Sequence, residues 1–159
     1  MKPIMLATDG SPTAEKATGT AIELAKALDT DLVVATVWEI PYTTVGLAPA
    51  PVAGDLAQLG EDDARKVAAG AAARAEEAGV ETRTVVLRGI TVQEICAAAG
   101  TFNPRFLVIG SHGWGAVRRA LFGSVSTGVL HHAHCPVLVV RGEEMNAENG
   151  TREVQKTHA

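Results

Sequence analysis

The chain has 159 residues, of which 47% are hydrophobic and 4% aromatic, and its formal net charge is −4. That is one domain of ordinary size, with a core to be built from Ala, Val, Leu and Ile. The acidic balance argues against nucleic acid as the main partner, since a phosphate backbone demands a basic face. No apolar run approaches the ~18 residues of a membrane span. Residues 1–6 run straight into Thr8-Asp9 without the apolar stretch of a secretory signal, so a cytoplasmic location is expected.

The first element is Ile4-Met5-Leu6-Ala7, a continuous apolar run of the kind a buried parallel strand needs. It stops at Thr8-Asp9-Gly10-Ser11, where Ser11 followed by Pro12 reads as a helix N-cap with proline at the first helical position. Ala14, Ala17, Ala21, Ile22, Ala25 and Leu28 then recur at helical spacing. Residues 32–38 make a second apolar strand, and residues 39–54, with three prolines and two glycines, read as an irregular connection longer than usual. Residues 57–78 are alanine-rich and helical, with a stripe of Ala64, Ala68, Ala71 and Ala75 and Gly79 as a C′ residue.

Residues 81–87 alternate Thr, Val and Leu, which predicts a strand with one half-exposed face at a sheet edge. Thr91-Val92-Gln93-Glu94 has the pattern of a capping box, opening a helix with Val92, Ile95, Cys96 and Ala99 inward. Phe106-Leu107-Val108-Ile109 is a fourth strand, residues 125–132 a short helix, and 137–141 a fifth strand after Cys135-Pro136. Five strands alternating with helices predict an open parallel α/β sheet of the Rossmann-like class, with helices on both faces. There is neither an internal repeat nor a second domain. Residues 1–141 form the domain, and 142–159 read as a polar, disordered tail. Cys96 and Cys135 read as reduced, buried thiols.

The chemistry gathers where the fourth strand ends. Gly110-Ser111-His112-Gly113 is followed, nine residues later, by Gly123-Ser124-Val125-Ser126 at the start of a helix. Glycine lets main-chain amides approach a ligand with no Cβ in the way, and a helix N-terminus adds unpaired N–H groups and positive dipole. Ser124 and Ser126 can donate hydroxyls to the same anion, so the pattern fits a polyphosphate between two glycine turns. Turns built for tightness alone would read the same. Ligands in such sheets bind beyond the carboxyl ends of the strands, where the strand order reverses. If the first and fourth strands are neighbours there, Asp9 and Gly110 face one crevice. Asp9 then either accepts a hydrogen bond from ribose or adenine or supports the turn after the strand. His112 is either a phosphate donor or a solvent-facing loop residue, and Arg118 and Arg119 either neutralise phosphate or lie on a solvated face. His131, His132, His134 and Cys135 hold ligand chemistry for zinc, but histidines at a helix C-terminus are also favoured by the dipole.

Gly110-x-x-Gly113-x9-Gly123-Ser124, with Cys135-Pro136-Val137-Leu138-Val139-Val140 beyond it and Ile4-Met5-Leu6-Ala7-Thr8-Asp9-Gly10-Ser11 at the start, resembles the universal stress protein family in its ATP-binding branch. The resemblance covers roughly residues 2–141. It implies a sheet of order 3-2-1-4-5, a homodimer, and ATP in the crevice between strands 1 and 4. By that resemblance Ala7, Thr8 and Asp9 lie by the adenosine, Val37 lines the adenine pocket, and Ile109 and Gly110 pass the ribose. His112, Gly113, Gly123, Ser124, Val125 and Ser126 surround the phosphates, with room for a divalent ion such as Mg2+ or Mn2+ bound along with them. An apolar fifth strand at a sheet edge invites pairing with a second copy on physical grounds as well.

Three functions follow as expectations. The first is an ATP-binding regulatory module in stress response that is not an enzyme, any slow hydrolysis being incidental. The chain has no Gly-x-x-x-x-Gly-Lys-Ser/Thr sequence and no lysine in either glycine turn. The second is an interaction protein holding another adenine nucleotide, such as cyclic AMP, or none. The third is an ATP-dependent adenylating enzyme. Against it stands the loop Asp9-Gly10-Ser11-Pro12, which has a single glycine where such enzymes carry a glycine- and serine-rich pyrophosphate loop.

Overall fold

The structure, a computed structural model, describes residues 1–39, 50–114 and 122–142. Among them five strands, β1 (Ile4–Ala7), β2 (Leu32–Trp38), β3 (Thr82–Arg88), β4 (Phe106–Gly110) and β5 (Val137–Val140), alternate with four helices. The helices are α1 (Pro12–Ala27), α2 (Ala50–Glu77), α3 (Thr91–Phe102) and α4 (Ser124–His132). All strand pairs are parallel, in the order β3-β2-β1-β4-β5. β1 is therefore central, with Ala7 level with Ala35 on one side and Ile109 on the other.

Strand periodicity sorts the apolar side chains onto two faces. Ile4, Leu6, Leu32, Val34 and Val108 pack against Ala17, Ala21 and Ala25 of α1 and Ala68, Ala71 and Ala75 of α2. Met5, Val33, Ala35, Leu107 and Ile109 pack on the other face against Ile95, Ala98 and Ala99 of α3 and Val129 of α4. The side chains of β1 are all buried, which is why the strand reads as an unbroken apolar run. β3 lies at one edge, as expected, but its exposure does not alternate: the neighbours Arg83 and Thr84, which point to opposite faces, are both exposed. No helix among the described residues is long and apolar enough to cross a membrane.

Several boundaries differ from the sequence-based expectation. α2 begins at Ala50 rather than 57, so residues 50–54 are helical; residues 40–49 lie outside the described residues. α4 gains Ser124, and β5 ends at Val140, before Arg141. The capping box is not formed. Ile90 is the N-cap of α3 and supplies no side-chain bond, and Thr91 is already helical. Thr91 donates both its N–H (2.7 Å) and its hydroxyl (2.6 Å) to Glu39 Oε1, a carboxylate brought from the end of β2. Cys96 and Cys135 are unpaired but half-buried rather than buried. Burial pushes both thiols up, and the neighbouring Cys96 adds to the rise at Cys135 while a backbone hydrogen bond offsets part of it.

Candidate functional site

The strand order reverses between β1 and β4, and the loops leaving them are laced together. After β1, Thr8 N–H donates to Ala35 O (3.0 Å), Thr8 Oγ1 accepts from Gly10 N–H (3.2 Å), and Asp9 Oδ1 accepts from Ser11 N–H (3.0 Å). These bonds fold the loop back so that Ser11 can cap α1, its Oγ accepting from Ala14 N–H at 3.3 Å. Gly10 has φ +71 in this turn, a conformation that favours glycine.

Beyond β4, Ser111 N–H donates to Val140 O (2.8 Å), and Ser111 O accepts from Gly123 N–H (2.7 Å) and Ser126 Oγ (2.9 Å). One carbonyl thus fixes the second glycine turn to the first. Ser126 is buried, and its hydroxyl braces this turn, also reaching Gly123 O at 3.0 Å. Ser124 stands exposed at the first position of α4, where the N-cap Gly123 offers no side-chain acceptor to the first amides. The two loops meet across the crevice: Ser11 Oγ donates to His112 O (3.4 Å) and Trp114 Nε1–H to Asp9 O (3.0 Å).

A Cβ would meet close neighbours at two of these positions, main chain at one and a side-chain tip at the other. A Cβ on Gly110 would lie 3.0 Å from Ala14 N, because β4 and the start of α1 nearly touch. A Cβ on Gly113 would lie 2.5 Å from Asp9 Oδ2. Between the loops is a cavity of about 400 Å³. Its apolar end is formed by Ala7, Ala35, Val37, Ile95 and Ile109, and its polar end by Asp9, His112, Ser124 and the main chain of Gly110, Gly113 and Gly123. Thr8, Val125 and Ser126 complete the expected set, so every residue of that set lines one cavity. No lysine or arginine lines it among the described residues. Among the described lining residues, the groups open to an anion there are main-chain amides, the α4 N-terminus and hydroxyls.

Ala14, Ala35, Thr91, Ile95 and Phe122 also line the cavity and escape the sequence reading. Ala35 could have been found by strand parity with Val37. Phe122 is packed under the Arg141 guanidinium, 5.4 Å from the ring centroid, a contact no local pattern announces. Arg118 and Arg119 lie outside the described residues. Among the described residues no group of three or more His, Cys, Asp or Glu is arranged to hold a metal. His131 and His132 occupy the last turn of α4, and His132 Nδ1–H donates to Gly128 O at 2.8 Å.

Comparison with known proteins matches this geometry to a family. Residues 1–141 match the profile of the Universal stress protein family. Universal stress protein MJ0531 of Methanocaldococcus jannaschii is 34% identical over 142 residues, covering 88% of this chain and 82% of that protein. The solved structure of universal stress protein UspA from Lactobacillus plantarum superposes with a TM-score of 0.79 at 24% identity, covering 88% of this chain and 97% of that one. The universal stress protein from Archaeoglobus fulgidus in complex with dAMP superposes with a TM-score of 0.66 at 22% identity, covering 88% and 98%. These two structures have the same fold as this chain.

Proposed function

The chain belongs to the universal stress protein family, and from that premise we propose that it is an ATP-binding regulatory module of the stress response. The observation that carries this reading is the cavity. Segments far apart in sequence give it an apolar part lined by Ala7, Ala35, Val37, Ile95 and Ile109 and a part lined by glycines at a helix N-terminus. In this reading Val37 lines the adenine pocket, and Ala7, Thr8 and Asp9 lie by the adenosine. Ile109 and Gly110 pass the ribose, and His112, Gly113, Gly123, Ser124, Val125 and Ser126 surround the phosphates. Mg2+ or Mn2+ would be held through those phosphates, since the described residues supply no metal site of their own. Phosphoryl transfer needs groups that place a nucleophile and neutralise developing charge. The cavity offers no lysine or arginine for that among the described residues, which favours binding over catalysis. The module is the 1–141 domain, dimeric through β5 and cytoplasmic, with no nucleic-acid or membrane partner; the residues beyond it form a polar tail.

A second reading is a nucleotide of lower charge, a monophosphate such as AMP or cyclic AMP. Its support is the Asp9 carboxylate, which lies against Gly113 in the polar end with no lysine or arginine among the described lining residues to balance a triphosphate. One experiment tests both. Thermal denaturation of the purified chain with MgATP, AMP or cyclic AMP should show stabilisation, about 2.7 kcal/mol at a ligand concentration 100 times the dissociation constant. The first reading expects the largest shift from MgATP, and the second expects it from a monophosphate. No shift with any of them at millimolar concentration overturns the site.

A further inference from the structure

Trp114 is a large aromatic left 73% exposed, so packing accounts for little of its placement. An indole offers one donor and no acceptor, and among the described residues that donor has a single use, Asp9 O at 3.0 Å. Asp9 and Gly113, the neighbour of Trp114 in the chain, both line the cavity. The bond therefore joins the two loops that wall its polar end. Those loops are not equally firm. On the β1 side three bonds lace the loop to itself and to β2: Thr8 N–H to Ala35 O, Gly10 N–H to Thr8 Oγ1 and Ser11 N–H to Asp9 Oδ1. On the β4 side the main-chain bonds to Val140 and Gly123 fall on Ser111, two residues short of Gly113. Ser11 Oγ reaches His112 O only at 3.4 Å, so the short tie between the loops is the one from Trp114. It sets how far the Gly113 main chain stands from the Asp9 carboxylate, whose Oδ2 would be 2.5 Å from a Cβ at Gly113.

Resting on the reading that this cavity binds a nucleotide with its phosphates at the polar end, we propose that Trp114 is a positioning residue for those phosphates. Trp114 does not line the cavity and acts through its neighbour Gly113 and its partner Asp9. Its indole N–H clasps the β4 loop to the firmer β1 loop. The gain is preorganisation: a glycine turn already held in place loses less freedom when an anion docks on it. By linkage the effect runs both ways, so a nucleotide bound against both loops strengthens the clasp by the factor that the clasp adds to its affinity. An exposed bond competes with water, which keeps that factor near the low end for a hydrogen bond, about threefold.

The test uses the full chain with MgATP. Trp114→Phe keeps an aromatic ring and removes only the donor. Without ligand it should melt close to the parent, and calorimetric titration should give ATP a dissociation constant about threefold higher. Trp114→Ala should weaken binding by a similar factor, since the exposed ring adds little of its own. A second readout needs no variant: hydrogen exchange at the indole itself. The chain has two tryptophans, Trp38 and Trp114, and the resonance missing from Trp114→Phe identifies the indole N–H of Trp114. In the parent that proton should exchange with solvent about threefold more slowly once ATP saturates the protein. A bond that served the fold alone would show no such change. Parental ATP affinity in Trp114→Phe overturns the proposal, whatever Trp114→Ala does, and so does an indole exchange rate that ATP leaves unmoved. A parent that binds no nucleotide overturns the underlying reading of the cavity instead, so the two failures are distinguishable.

Discussion

Gly110 and Gly113 belong to the same turn, yet an added methyl group meets different matter at each. At Gly110 it would press on Ala14 N at 3.0 Å and Thr13 C at 3.1 Å. Both are main-chain atoms that cannot yield without shifting the start of α1. Gly110→Ala should therefore cost about 1–3 kcal/mol of stability, as overpacked cores do, and calorimetry would show the loss. At Gly113 the obstacle is Asp9 Oδ2, the tip of an exposed side chain that can swing aside. Gly113→Ala should melt close to the parent but bind nucleotide roughly tenfold more weakly, because both the methyl group and the displaced carboxylate enter the phosphate end. The reverse pattern, with Gly113→Ala unstable and Gly110→Ala tolerated, would contradict these contacts.

Between elements, α3 and α4 approach closely at Gly128. A Cβ on Gly128 would come within 2.8 Å of Val92 Cγ2 and 3.1 Å of Val92 Cγ1, and a β-branched side chain has few rotamers with which to retreat. Gly128→Ala should cost about 1–3 kcal/mol, its better helix propensity notwithstanding. Val92→Ala in the same chain should restore most of the loss, giving a coupling well above the ~0.5 kcal/mol of independent sites in a double-mutant cycle of urea melts. The contact also marks what a sequence can disclose. Signals confined to one element were legible: the Ser11-Pro12 helix start, the alanine stripe of α2, the unbroken apolar strands, and the glycines that locate the crevice. Contacts made by two elements were not. Thr91 and Glu94 have the spacing of a capping box, but a carboxylate 52 residues away takes Thr91, and Glu94 turns to Gly89. Ser126 was legible as a member of the turn, but the partner of its hydroxyl, Ser111 O, was not, because that bond exists only once the two turns are superposed. Ile95 reaches the cavity for the same reason: α3 is laid across the end of the sheet, and nothing near residue 95 states that.

At the scale of the whole molecule the two edges of the sheet are unlike. The β3 edge carries Arg83, paired with Asp31 at 3.6 Å, between Thr82 and Thr84, a polar guard that discourages further strands. The β5 edge is Val-Leu-Val-Val with no charge, and Leu138 remains 36% exposed and Leu130 44%. An open sheet with one guarded and one bare edge has a single way to pair with itself: β5 against β5 across a twofold axis, closing at two chains. Sedimentation of the parent chain at micromolar concentration should accordingly give a dimer, and Leu138→Lys a monomer. Leu138 alternates with Val137 and Val139, which pack on the α3 face, so its side chain lies on the opposite face from the apolar end of the cavity. The monomeric variant should therefore still bind nucleotide, separating assembly from occupancy. A parent that sediments as a monomer would show that the bare edge is tolerated unpaired. A Leu138→Lys chain that stays dimeric would move the interface elsewhere, with the exposed Val52, Leu56 and Leu59 of α2 the next surface to substitute.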